Sequence, residues 1–532
     1  MEPVNHETRA RYDDLPYSSY AYQYSAPEQL AAVASLFGLP SAGIATARVL
    51  ELGCGAGGNL VPVALRHPAC KAVGVDISRI QIDEGKGVID RLGIGNISLV
   101  EADLLELDAE SLGEFDYIIA HGVYSWVPRQ VQEAMLALIH RCLAPDGVAY
   151  ISYNTYPGWK TKEIVRDAML MHGGARPTAT EQVAYGRSML GFLKQTALAG
   201  GLTAAAVDEC MAQVMNGPID YVAHEYLAPY NQPCYFHEFV RRVEKHGLAY
   251  LGEAQPSMMM PSNYNPELSR QLYGALGGDQ VRVEQYLDFA VSRVFRQTLL
   301  VHAERAAGLR WELDRGALHG MHFASRLATV GGPIVLDGQP QEFVAPPNTA
   351  NISVALSGIK QAIDLLAKTW PGTVTRDEMI RYAYQTQGGN DAVSAEVLGG
   401  AIDELCEKLV LRGMAQVRLA AVAVVPASGD RPVVDPVVRK QLASLAPHRK
   451  HVANAWHDSV EVMDIDRLLF PLMDGTVDRA ELIAATVDAL RDGRLSPPVD
   501  GNNDLGTHAS AAVADMLQRM EQSAVLSRSP VQ

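Results

Sequence analysis

A glycine-rich segment at residues 49–58 (VLELGCGAGG) constrains the fold more than any other feature of the sequence. An apolar segment typical of a strand precedes it, and a segment with helical periodicity follows it. Gly53, Gly55 and Gly57 allow a ligand to approach the backbone closely, and the spacing through Gly58 also fits G-x-G-x-x-G. The segment therefore predicts an α/β fold with a ligand bound where the strand gives way to the helix.

Alternating strands and helices surround this loop. The predicted strands cover residues 47–52, 71–76, 97–101, 115–120 and 148–152, and the predicted helices cover 59–66, 78–92 and 129–143. Two later segments with strand character, 246–252 and 295–302, add two strands. This order predicts a doubly wound, Rossmann-like α/β sheet of seven strands.

The rest of the chain divides into smaller predicted units. Residues 161–245 have helical periodicity, which predicts an insertion over the carboxyl edge of the sheet. The predicted organisation is a core with a tyrosine-rich N-terminal lid (1–170), a helical insertion (171–245), the closing strands (246–305), a linker (306–350), a winged-helix-like domain (351–430) and a C-terminal helical module (431–532).

Charge and cysteine usage exclude several function classes. The chain has 45 Lys and Arg against 61 Asp and Glu, a formal net charge of −16 that disfavours binding to nucleic acid. Its six cysteines form no C-x-x-C pair, so neither a zinc site nor a disulfide framework is indicated. No apolar run is long enough to cross a membrane, and the first residues lack the apolar segment of a signal peptide. These features predict a cytoplasmic protein without a bound metal.

Carboxylates at the ends of the first three strands distinguish between two kinds of nucleotide ligand. Glu51 would repel a pyrophosphate but attract the ammonium and sulfonium of S-adenosylmethionine (SAM). Asp76 ends the second strand, where a carboxylate can bridge both ribose hydroxyls, and Asp103 follows the third strand, where it can face the adenine amino group. SAM is therefore the predicted cofactor, with a dinucleotide as the alternative. The candidate cofactor residues are Glu51, Gly53, Cys54, Gly55, Gly57, Asp76, Ile77, Asp103, Leu104, His121 and Tyr20.

The segments after the fourth and fifth strands are candidates for the acceptor site. The end of the fourth strand contains no Asn/Asp-Pro-Pro-Tyr/Phe, no Pro-Cys and no pair of glutamates, which disfavours amide, base-carbon and arginine acceptors. Both segments are rich in aromatic residues, whose faces attract cations such as sulfonium or alkylammonium groups. The candidate catalytic residues are Tyr124, Trp126, Asn154, Tyr156 and Trp159.

Motifs spread over the chain resemble one family. They lie at 13–20 (DDLPYSSY), 121–128 (HGVYSWVP), 152–159 (SYNTYPGW), 224–227 (HEYL), 235–239 (YFHEF), 295–300 (FRQTLL) and 472–479 (LMDGTVDR). Together with the glycine-rich loop they resemble the bacterial class I methyltransferases that carry a methyltransferase regulatory domain. That family includes rickettsial enzymes that methylate lysines of an outer membrane protein. One departure is Ala26, which stands where the family usually has the histidine of a Gln-Thr-His-Pro-like run.

The resemblance implies a SAM-dependent methyltransferase that transfers a methyl group in line to lysine side chains of a protein partner. Two alternatives stay open: methylation of a small-molecule amine or hydroxyl, and a non-catalytic, SAM-responsive regulator. The regulator would need a DNA-binding winged helix, but the candidate recognition helix at 396–408 has four acidic residues against one lysine. His224 and His237 are 13 residues apart, which matches no helical ligand spacing and predicts packing rather than metal binding.

Overall fold

A seven-stranded sheet lies at the centre of the computed structural model, which describes residues 3–313, 315–346, 350–386, 393–425, 428–447, 449–496 and 504–527. Its strands are β1 (Arg48–Leu52), β2 (Lys71–Asp76), β3 (Ile97–Glu101), β4 (Phe115–Ala120), β5 (Leu143–Asn154), β6 (Leu248–Glu253) and β7 (Phe295–His302). Their order is β3-β2-β1-β4-β5-β7-β6. The first five strands are parallel, and β7 is antiparallel to both of its neighbours. The predicted doubly wound sheet of seven strands is confirmed.

The strands are buried on both faces because helices cover each side of the sheet. Val49 packs into one apolar cluster, while Leu50 and Leu52 pack into the cluster on the opposite face. This alternation follows from the period of two in a strand. The helices of this part of the chain are α1 (Pro3–Asp14), α2 (Pro27–Leu36), α3 (Leu60–Arg66), α4 (Arg79–Leu92), α5 (Ala109–Leu112) and α6 (Arg129–Cys142).

A helical insertion follows β5 directly and lies over the carboxyl edge of the sheet. Its helices are α7 (Trp159–Gly173), α8 (Ala179–Thr196), α9 (Leu202–Asn216), α10 (Ile219–Leu227) and α11 (Phe236–Lys245). Val165, Leu190 and Tyr226 belong to a separate apolar core that also contacts Leu15 of the N-terminal segment. The insertion therefore begins at α7, earlier than the predicted boundary at 171. Two further helices, α12 (Pro266–Leu276) and α13 (Gln280–Val291), join β6 to β7.

The described residues of a second unit form four helices and two small sheets. Its elements are α14 (Arg315–Leu318), β8 (His322–Ala324), β9 (Ala328–Thr329), β10 (Gln341–Val344), β11 (Asn351–Val354), α15 (Ser357–Thr369), β12 (Val374–Thr375), α16 (Arg376–Thr386), α17 (Ala395–Leu411) and β13 (Gln416–Arg418). Strand β8 lies between β12 and β13. Residues 306–350, predicted as a linker, thus supply strands to this unit. Strands of two to four residues are too short to produce a periodic pattern, which explains the difference.

The C-terminal module packs against the first domain. Its elements are α18 (Pro436–Ser444), β14 (His451–Ala453), β15 (Ser459–Glu461), α19 (Asp464–Leu469), α20 (Arg479–Arg491) and α21 (Leu505–Gln522). Arg66 pairs with Asp435 and Arg449 pairs with Glu84, each at 2.9 Å. Short 3-10 helices occur at Gln23–Ser25, Ile44–Thr46, Tyr124–Trp126, Pro256–Met259, Pro261–Asn263, Ala303–Gly308 and Phe470–Leu472. Within the described ranges, no helix combines the length and apolar character needed to cross a membrane.

Candidate active site

A cavity of about 370 Å³ opens at the carboxyl ends of the parallel strands. The strand ends form its floor, and the N-terminal tyrosine-rich segment and helices α7 and α10 form its walls. This is the edge at which doubly wound sheets bind their ligands. We call the part near the glycine-rich loop the cofactor end, and the part near α7 and α10 the acceptor end.

The glycine-rich loop turns sharply at the end of β1. The backbone amides of Gly53 and Cys54 donate to the Val75 carbonyl at 2.7 and 3.0 Å. Gly53 has φ +75°, and a Cβ atom on it would lie 2.2 Å from Val123 Cγ2. Only glycine fits there, because a Cβ atom would displace the side chain of Val123. Gly57 does not line the cavity, and a Cβ atom on it would lie 3.3 Å from Leu99 Cδ1.

Glu51 is a buried carboxylate with one oxygen unpaired. Its Oε1 atom accepts a hydrogen bond from Asn59 Nδ2 at 2.8 Å, while Oε2 has no partner in the part of the chain that the structure describes. Burial raises the pKa of Glu51 to about 8, and nearby Asp76 contributes to the increase. An unpaired buried carboxylate is stabilised by a cation, so this end of the cavity fits the ammonium of SAM and not a pyrophosphate.

Asp76 and Asp103 lie beside the loop at the ends of β2 and β3. Asp76 Oδ2 accepts from the Gly55 amide and Oδ1 from the Ser78 amide, each at 2.8 Å. Burial raises the pKa of Asp76 despite these bonds. Asp103 Oδ1 accepts from the Leu105 amide at 2.9 Å. The predicted residues Cys54, Gly55, Ile77 and Leu104 line the same end of the cavity.

Aromatic rings from the N-terminal segment cover the cavity. Tyr20, a candidate cofactor residue, lines it, and so do Tyr12, Tyr17 and Tyr22. The ring of His121 stacks on Tyr22 with centroids 3.8 Å apart, and its Nδ1 atom shares a 2.8 Å hydrogen bond with the Tyr150 hydroxyl. Burial lowers the pKa of His121 to about 4, so the imidazole is neutral at pH 7.

The acceptor end combines tryptophan rings with a buried ion pair. Trp126 and Trp159 meet edge to face with centroids 6.2 Å apart. Lys162 Nζ lies 5.1 Å from the centroid of the Trp159 ring and 3.8 Å from a carboxylate oxygen of Glu225. Burial raises the pKa of Glu225. Asn154 also lines this end, where its Nδ2 atom donates to Asn231 Oδ1 at 3.1 Å.

His224 borders the acceptor end from helix α10. Its Nε2 atom donates to the Leu15 carbonyl at 2.8 Å, so Nδ1 carries the lone pair, and Nδ1 has no partner within the described residues. The ring stacks on Tyr12 with centroids 4.7 Å apart. Burial lowers the pKa of His224. His237 instead bonds Gln285, and the described ranges hold no group of three potential metal ligands.

Two of the candidate catalytic residues lie outside the cavity. Tyr124 is fully buried and packs edge to face on Phe239, because the turn after β4 directs Tyr124 inward and Trp126 toward the cavity. The Tyr156 hydroxyl donates to Glu163 at 2.5 Å, which holds the ring away from the site. The sequence missed several lining residues: Ser18, Ser19, Asn59, Gln81, Lys162, His224 and Glu225. Ser18 and Ser19 lie in the motif at 13–20, and His224 and Glu225 lie in the motif at 224–227, but no motif marks Asn59, Gln81 and Lys162.

Three family models match separate parts of the chain: a methyltransferase domain at 49–147, a predicted methyltransferase regulatory domain at 218–302 and a PKMT C-terminal winged helix domain at 430–525. The uncharacterized protein RP789 of Rickettsia prowazekii is 32% identical over 505 residues, which cover 92% of this chain and 88% of that protein. The chain belongs to the bacterial class I methyltransferases with a regulatory domain.

The methyltransferase is similar in structure over nearly its whole length to PKMT2 from Rickettsia typhi in complex with AdoHcy. The TM-score is 0.85 at 25% identity, with 96% of this chain and 100% of that chain covered. Another protein of R. prowazekii, RP028, is 35% identical over 243 residues that cover 46% of this chain and 97% of that protein. The chain is thus a SAM-dependent methyltransferase.

The comparisons also bear on the C-terminal half of the methyltransferase. The sequence predicts a winged helix at 351–430, whereas the family's winged helix domain covers 430–525. The latter contains the hairpin of β14 and β15, whose strands have only three residues each. Such short strands leave no alternating pattern, which is why the sequence predicts only helices there.

Proposed function

We propose that this methyltransferase N-methylates lysine side chains of a protein substrate. One observation carries the proposal: a lysine ammonium of the chain itself, that of Lys162, lies at the acceptor end between the Trp159 ring and the Glu225 carboxylate. An aromatic face and a buried carboxylate are the partners that an alkylammonium prefers. The similarity to PKMT2 supports the same acceptor class.

Side chains at the cofactor end would hold SAM. Glu51 Oε2 would bind the ammonium, Asp76 the ribose hydroxyls and Asp103 the adenine amino group. When bound, SAM would supply a methyl group on a positive sulfonium: the lone pair of the acceptor nitrogen forms the new C–N bond in line as the C–S bond breaks, and AdoHcy leaves as a neutral thioether. The chain contributes by fixing this geometry and by excluding water with the tyrosine-rich segment.

The acceptor end must remove a proton from the lysine ammonium, which has no lone pair. At a pKa near 10.4, deprotonation at pH 7 costs about 4.6 kcal/mol. Burial of the amine against the Trp126 and Trp159 rings, next to a positive sulfonium, lowers this cost. Glu225 can accept the proton because burial raises its pKa, and the neutral His224 offers a lone pair on Nδ1.

The proposal is tested with methyl-labelled SAM. The purified methyltransferase is incubated with labelled SAM and a lysate of its host, and labelled residues are mapped by mass spectrometry. We expect label on lysine side chains of discrete proteins, and we expect the Asp76→Ala variant to lose it. Asp116→Ala is the matched control, because Asp116 lies outside the cavity, where it accepts a hydrogen bond from the Arg48 amide at 2.7 Å.

Two results would contradict the proposal. Label confined to the small-molecule fraction would make a metabolite the acceptor. Label on protein residues other than lysine would change the acceptor class while retaining the enzyme activity.

A further inference from the structure

The C-terminal module reaches the cofactor end through the tip of its β14–β15 hairpin. Asn454 Oδ1 accepts from the backbone amides of Trp456 and Asp458 at 2.8 and 2.9 Å, and these bonds hold the turn. His457 lies at the tip with φ +63°, in the left-handed region that is unfavourable for residues other than glycine. Such a conformation persists only where surrounding contacts enforce it.

His457 is buried against the first domain, with 5% of its surface exposed. Its Nε2 atom lies 2.8 Å from Asn59 Oδ1. Since Asn59 Nδ2 donates to Glu51, the amide oxygen of Asn59 is the acceptor and His457 Nε2 carries the hydrogen. Burial lowers the pKa of His457 to about 4, so this donor is a neutral imidazole at pH 7.

Asn59 precedes helix α3 at the position where an asparagine side chain normally caps the helix. Its side chain makes no capping bond here. The oxygen instead accepts from His457, from the Tyr22 amide at 3.0 Å and from the Ser25 hydroxyl at 3.2 Å, and the nitrogen donates to Glu51. One amide thus joins the C-terminal module, the tyrosine-rich segment and the cofactor end.

We propose that His457 is a positioning residue that orients the Asn59 amide toward Glu51 and so couples the C-terminal module to SAM binding. With Nε2 bonded to Oδ1, the amide presents its N–H group to the Glu51 carboxylate. Without this donor the Tyr22 amide and the Ser25 hydroxyl alone hold the oxygen, so the amide is less constrained, and a flipped amide would place its oxygen against the carboxylate. The inference concerns the cofactor end and is independent of the acceptor, so its failure leaves the proposed function untouched.

The test compares two substitutions of His457. H457G removes the donor but suits the left-handed backbone, which protects folding. H457Q supplies an amide donor of similar reach. We expect H457G to weaken AdoHcy binding about fivefold to tenfold by calorimetry, and H457Q to restore part of the loss.

A second measurement separates positioning from general destabilisation. The Asn59 bond favours the ionised form of Glu51, so its loss raises the pKa of Glu51 and moves the pH midpoint of AdoHcy affinity upward in H457G. Other titratable or charged groups also lie near the two residues: Tyr22 and Asp76 near Glu51, and Glu28, Arg66 and Arg418 near His457. All five are unchanged in H457G.

Arg449→Ala is the matched control, because Arg449 lies at the same interface but bonds Glu84 rather than Asn59. We expect it to remove one ion pair of the interface while His457 stays bonded to Asn59, so that the pH midpoint does not move. The proposal is overturned if H457G keeps the affinity and midpoint of the wild type, or if Arg449→Ala shifts the midpoint equally. Should H457G not fold, an unshifted midpoint in a folded H457L variant would overturn it.

Discussion

The cofactor end takes its side chains from adjacent strand ends, whereas the acceptor end takes them from segments far apart in the sequence. Glu51 is the next-to-last residue of β1, and Asp76 is the last residue of its parallel neighbour β2, so the sheet alone places the two side chains together. At the acceptor end, Trp126 meets Trp159 and Glu225 only because the helical insertion folds back over the sheet. The difference teaches that the cofactor end is fixed by the sheet and the acceptor end by tertiary packing.

The first prediction concerns a substitution that disrupts ligand binding at the cofactor end alone, and it has the largest expected effect. Gly55 has φ +54°, and a Cβ atom on it would lie 2.8 Å from Gln81 Oε1 at the cavity wall. We expect Gly55→Val to weaken AdoHcy binding about 100-fold or more, measured by calorimetry. Gly93→Val is the control, since Gly93 has φ +63° but an open surrounding. An equal loss in both variants would contradict a specific role for the loop.

The second prediction concerns a substitution that disrupts the acceptor end alone. Removal of the Trp126 ring takes away one aromatic wall around the acceptor amine. We expect Trp126→Ala to lower kcat/KM for the protein acceptor about tenfold while AdoHcy affinity stays within about twofold. Trp311→Ala provides a control, because Trp311 is half-buried and bonds the Leu251 carbonyl away from the cavity. A parallel loss of affinity and turnover would show that the two ends are not separable.

The third prediction concerns the charge of the cofactor end. Because burial raises the pKa of Glu51 to about 8, the carboxyl is protonated at pH 6 and ionised above pH 8. We expect AdoHcy affinity to rise about fivefold between pH 6 and 8 in the wild type. The ligand-free protein should lose stability over the window from the ordinary value of 4.5 to about 8, since the folded state there holds the extra proton. Both trends should vanish in Glu51→Gln; their persistence would assign them to another group.

The smallest expected effect distinguishes a residue near the acceptor end from one within it. Tyr156 donates to Glu163 and does not line the cavity. We expect Tyr156→Phe to change kcat/KM by less than about twofold, whereas the same change at Tyr17, which lines the cavity, should cost more. A larger loss of kcat/KM in Tyr156→Phe would show that the Tyr156 hydroxyl takes part in the reaction.

The strands of the first domain could be predicted from sequence because each is an apolar run ended by a turn residue. The same runs place Glu51, Asp76 and Asp103 at one edge, since parallel strands share their carboxyl ends. Strands β8 to β15 could not be predicted, because they have only two to four residues and depend on pairing with distant partners. The acceptor end was predicted in part: Trp126, Asn154 and Trp159 line the cavity, whereas Tyr124 and Tyr156 do not.

The sequence by itself determined the sheet, the glycine-rich loop and the carboxylates of the cofactor end, because these depend on local patterns and on the common direction of parallel strands. Only the tertiary structure decided which rings face the cavity, since Tyr124 and Trp126 lie two residues apart in one turn and only Trp126 lines the cavity. It also brought His457 to Asn59, nearly 400 residues away along the chain. No local pattern encodes such a contact, because the packing of two separate cores creates it.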